Sequence, residues 1–147
     1  MHTLQRRNQV QVYSWLGVVP FILLGALLPV WPASMQSQAI ESFGAYGAVI
    51  LAFMAGAIWL PAILTEESKP LPTTSIAVLL SLLAFLVVLL PIELGLGLSG
   101  SGFLLLLVTE IRLRWKLRYP NWYWSMRIML TATVTLCHLL AGLWLWL

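Results

Sequence analysis

Residues 73–108 read TTSIAVLLSLLAFLVVLLPIELGLGLSGSGFLLLLV, and how this run is divided decides the fold. As a single helix it would extend about 54 Å, nearly twice the roughly 30 Å hydrocarbon core of a bilayer. Pro91 lacks the N–H that a helix interior needs. The glycines of PIELGLGLSGSG (91–102), with Glu93 among them, weaken a helix further, so this stretch is expected to turn the chain. The run then becomes a tight helical hairpin of two spans, 73–91 and 94–111.

Outward from the hairpin, three more segments are long and apolar enough to cross a bilayer, at 13–31, 43–63 and 124–147. Composition agrees, because the chain is 61% hydrophobic and 9% charged, whereas soluble domains carry about 25% charged residues. The expected fold is all-α: a single transmembrane domain over 1–147, built as a five-helix polytopic bundle.

Basic residues near span ends are retained on the cytoplasmic side. Arg6, Arg7, Lys69, Arg112, Arg114, Lys116, Arg118 and Arg127 all fall on one side of a five-span chain, while the 32–42 and 92–93 loops carry only acids. This predicts a cytoplasmic N-terminus and a periplasmic C-terminus. Tryptophan favours the headgroup level, and none of Trp15, Trp31, Trp59, Trp115, Trp122, Trp124, Trp144 or Trp146 falls mid-span. The apolar run after MHTLQRRNQVQVY is longer than the about 7–15 residues of a cleavable signal, so it reads as an uncleaved anchor. With no transit-peptide character, the expected location is a bacterial inner membrane.

The loop IRLRWKLRYP places Arg112, Arg114, Lys116 and Arg118 at alternate positions with Leu113, Trp115 and Leu117 between them. Basic residues interleaved with aromatics suit nucleic acid. The same pattern arises by default in a positive-inside loop whose side chains snorkel to anionic phospholipid headgroups. A short linker pinned between two membrane helices has little freedom to wrap a strand, so lipid contact is expected and nucleic acid is not.

Helices in lipid associate through close approach at small residues. Gly44, Ala48, Ala52 and Gly56 recur every fourth residue along the second span, and Gly95, Ser99 and Gly102 do so less regularly in the fourth. Such a stripe serves internal packing or a homodimer seam; the first is favoured, since a five-helix monomer already needs such faces.

The fifth span carries Arg127, Thr131, Thr135 and His138 on one face, an intramembrane polar stripe in an apolar helix. Glu110, at comparable depth in the fourth span, is the expected partner of Arg127. The bland alternatives are threonines bonded to their own i−4 carbonyls, a snorkelling arginine and a hydrogen-bonded packing histidine. Catalytic constellations are missing: Asp is absent, the single cysteine, Cys137, points about 100° away from His138 on a helix, and the glycine-rich stretch lies in lipid. No enzyme, metal or cofactor is expected.

GVVPF (17–21), YGAVILAFMAGAIW (46–59) and WYWSMRIMLT (122–131) together resemble the transmembrane protein 69-like family, bacterial and mitochondrial membrane proteins with a domain of unknown function. The resemblance spans nearly the whole chain. Arg127 and Thr131 match its pattern, and Glu110 stands where an acidic residue, often Asp, is usual. The His-Trp-Gly triplet that often ends the second helix is replaced by Ile58, Trp59 and Leu60. The resemblance implies a compact multi-span protein and no particular activity. Two roles are expected: a non-catalytic component of a membrane complex, or an oligomeric permease using a polar seam between the fourth and fifth spans.

Overall fold

A computed structural model describes residues 2–58, 72–112 and 119–147. The described chain is helical throughout, with no strand among the described residues: α1 (His2–Leu16), α2 (Val19–Phe21), a π turn (Ile22–Ala26), a 3-10 turn (Leu28–Val30), α3 (Ala33–Ala57), α4 (Pro72–Leu89), α5 (Ile92–Arg112) and α6 (Asn121–Trp146).

The first span is broken, and proline explains where. Pro20 has no N–H to offer the preceding turn, so α1 stops at Leu16 and the chain restarts at Val19. A wide π turn follows, closed by Leu27 N–H on Ile22 O at 2.9 Å, and Pro29 enters the tighter turn after it. The break leaves the Gly17 carbonyl open to the Tyr46 hydroxyl, which donates to it at 2.8 Å. It also delivers Phe21 to the core at 1% exposure.

Two expected boundaries are corrected. Residues 33–42, read as a loop, are the first turns of α3, which starts behind Pro32 about ten residues before the expected span. Its polar residues, Gln36, Ser37 and Glu41, border a groove at the bundle end instead of capping a connection. The hairpin turn is confined to Leu90 and Pro91, and the glycines of 95–102 lie inside α5. They serve approach, not turning: a Cβ on Gly95 would sit 2.9 Å from the Val87 carbonyl oxygen across the hairpin.

Among the described residues, four helical stretches are long and apolar enough to cross a membrane: Gln5–Ala26, Ala33–Ala57, Ile92–Arg112 and Asn121–Trp146. A shorter apolar helix, Thr74–Leu89, extends about 24 Å. Helix α3 packs chiefly on α4, and α6 on α5. One end of the bundle gathers Leu28, Gln36, Leu90 and Trp144; Tyr13, Met54, Tyr123 and Arg127 come together around a cavity elsewhere.

Polarity is inverted relative to a soluble protein. Leu79, Leu82, Phe85 and Leu89 on α4 are each more than half exposed, as are Phe53, Leu94, Met129 and Leu139. Ser99, Thr109, Glu110, Arg127, Thr131 and His138 are all at least 94% buried. Apolar patches of that extent have no place against water. Together with the four long apolar helices, they make this a multi-pass membrane protein by composition and surface.

Candidate functional site

The polar residues of α6 fall into two clusters, around Arg127 and around His138. At the α5 C-terminal end, Arg127 Nε donates to Glu110 Oε2 at 2.8 Å, both side chains 6% exposed. Seventeen residues separate the pair along the chain. The segment 113–118 that joins their helices lies outside the described residues. Tyr119 stands just ahead of α6, and burial, then the Glu110 carboxylate, push its phenol above the usual range while Arg127 opposes the shift. Arg7 of α1 lies over the Trp122 ring at 5.4 Å, bringing another basic residue to this end.

About three turns further along α6 lies His138. Its Nδ1 is 2.8 Å from the Val134 carbonyl, which can only accept, so that nitrogen carries the proton. Nε2 shares a hydrogen bond with Ser99 Oγ at 3.1 Å, across the α5–α6 interface. Both ring nitrogens therefore have a partner. Phe43, Phe21 and Phe103 enclose it, with ring centroids 4.7, 5.7 and 5.7 Å away.

Between the two sites no side-chain hydrogen bond links the stripe among the described residues. Leu130 and Val134 are buried on this stretch of α6. Thr131 and Thr135 were candidates for bonding back to their own helix, and they do not: neither Oγ1 has a partner among the described residues. Thr133 and Thr109 make that back-bond instead, at 2.9 and 2.8 Å.

Ser99 was read as a small packing residue, and its bond to His138 was missed. So was Gly47, whose missing side chain makes room for that bond: a Cβ there would lie 3.1 Å from Ser99 Oγ and 3.4 Å from His138 Nε2. A glycine and a serine facing a buried histidine were the available signal, but only the register of three helices brings them together.

The α3 stripe divides. A Cβ on Gly44 would meet Ile92 at 2.9 Å, Ala48 is buried and Ala52 partly so, whereas Gly56 is exposed with nothing near it. Its first half is internal packing, and a Cβ on Gly56 would meet nothing within 4 Å among the described residues. Arg112 is exposed at the α5 end, as a headgroup contact requires, while Arg114, Lys116 and Arg118 lie outside the described residues. No group of three or more metal-ligating side chains occurs among the described residues.

No curated protein and no solved structure matches the chain. A family model does match it over residues 7–143, nearly its whole length and both halves of the α5–α6 site: the chain belongs to the family described as protein of unknown function, DUF3429.

Proposed function

We propose that this chain is a non-catalytic component of a membrane complex, an assembly factor, partner or stabilising subunit, carried by five spans in a bacterial inner membrane. The observation that carries the proposal is that the two ring- or charge-bearing groups of the stripe each find a partner on α5 inside the bundle. Glu110 pairs with Arg127 Nε and Ser99 with His138, each inside the bundle, and no side-chain hydrogen bond joins the two pairs among the described residues. Groups that satisfy one another fix helix register, whereas a relay or carrier needs partners that can be exchanged along a path. Kinship with transmembrane protein 69-like proteins, suggested by the motifs, belongs to this reading; the family match itself carries no such name.

The orientation proposed has the N-terminus and the 112–118 loop cytoplasmic and the C-terminus periplasmic, with anionic headgroups at the loop. The contact between Arg7 and Trp122 supports it, since it draws the first basic residues toward the start of α6. A cytoplasm-only reporter should be active after Lys69 or Arg118 and silent after Leu147; activity at Leu147 overturns the five-span arrangement.

The unpartnered hydroxyls of Thr131 and Thr135 favour a second reading, an oligomeric permease for a proton or small solute. Purification under mild conditions separates the two. A stable heteromeric partner supports the component, and a lone dimer that moves protons in vesicles supports the permease.

A further inference from the structure

Not every donor at the Glu110 end is used. Arg127 commits Nε to Glu110, but its Nη2 and the Thr131 hydroxyl have no partner among the described residues. Both residues are deeply buried, 5% and 2% exposed. Both line a single cavity of about 310 Å³ whose remaining walls are mostly apolar, Phe21, Phe103, Ile50 and Met54 among them. Tyr13 and Phe53 also border it, and they are 69% and 72% exposed. The chamber therefore joins two buried donors to an apolar margin that faces lipid.

Charge narrows what fits. The Arg127 guanidinium is already neutralised by Glu110 at 2.8 Å, so an anionic head would add an uncompensated negative charge in a low-dielectric interior. A neutral carbonyl adds none and accepts from both unused donors. The volume lies at the lower end of the roughly 300–1,000 Å³ typical of ligand pockets. It holds a head and the beginning of a tail, and the rest of the tail leaves past Tyr13 and Phe53.

We propose that this cavity binds the carbonyl head of a neutral, apolar-tailed lipid, with Arg127 Nη2 and Thr131 Oγ1 donating to the carbonyl oxygen. A quinone ring and the ester of a neutral glyceride both supply that chemistry. Calorimetric titration of the full chain in nanodiscs with decylubiquinone, dioctanoylglycerol and decanoate distinguishes them. One neutral probe should bind saturably, identifying the source, with decanoate at least about tenfold weaker. Thr131→Val should weaken binding by roughly 3- to 10-fold, the loss of one hydrogen bond. Met54→Trp, which fills the chamber, should abolish it. Thr133→Val is the control, because its hydroxyl is committed to the Met129 carbonyl, and it should leave binding unchanged. The proposal is overturned if neither neutral probe saturates, if decanoate binds as tightly, or if Thr131→Val and Met54→Trp both leave binding intact.

Discussion

The two ends of the α6 stripe solve the same problem with different chemistry. At Arg127 a full positive charge is buried, and a full negative charge on α5 accompanies it. At His138 no counter-charge is present among its contacts; the ring is bonded at both nitrogens and walled in by three phenylalanines. A charge removed from its partner in a dry interior is costly, whereas an unpaired neutral group costs only its own desolvation. The first site should therefore dominate stability, and the second should tune packing.

The largest effects test that ranking at the ion pair. Glu110→Ala and Arg127→Ala should each destabilise the protein by about 3–5 kcal/mol, because each strands a buried charge. Denaturation in mixed micelles and the level of protein accumulated in membranes both read this out. If either change is nearly silent, water reaches the pair and the contrast with His138 disappears.

Next comes the histidine. His138→Phe keeps a ring in the aromatic enclosure but leaves the Ser99 hydroxyl unpaired, costing about 1–3 kcal/mol. Adding Ser99→Ala to it should recover part of that loss, since neither partner is then left buried and unsatisfied. A further loss in the double variant would mean Ser99 has a partner other than His138.

A smaller effect is expected at Gly47. An alanine Cβ would press on Ser99 and His138 from 3.1 and 3.4 Å, an overpacking worth roughly 1 kcal/mol. Smallest of all is Gly56→Leu, at a position where a Cβ meets nothing within 4 Å among the described residues, and it should leave monomer stability unchanged. If sedimentation shows that Gly56→Leu dissolves a dimer, that end of α3 is a seam between copies.

The same contrast explains what could be read from sequence. Glu110 and Arg127 were legible as partners because both are rare ionisable groups near the same end of adjacent spans, and burying one demands the other. The hydrophobic runs likewise exposed α4, α5 and α6 as helices. The His138 enclosure was not legible. Phe21, Phe43 and Phe103 come from three elements, and Phe21 arrives only because Pro20 breaks the first span and a π turn resets its register. The start of α3 was hidden for a related reason: Gln36, Ser37 and Glu41 lower the hydropathy of a stretch whose backbone has no reason to stop being helical. Hydropathy measures solvent preference, and this segment is a helix that extends beyond its apolar part.

The central claim, that the stripe is two energetically separate pairs and not one coupled network, is tested most directly by paired double-mutant cycles on folding stability. Neighbours in one network couple by about 0.5–3 kcal/mol, while sites more than about 10 Å apart add within roughly 0.5 kcal/mol. The cycle of Glu110→Ala with Arg127→Ala should be strongly non-additive, and the cycle of Arg127→Ala with His138→Phe should be additive within that margin. Coupling between Arg127 and His138 as large as that between Arg127 and Glu110 would contradict the account and restore a continuous polar seam through the bundle.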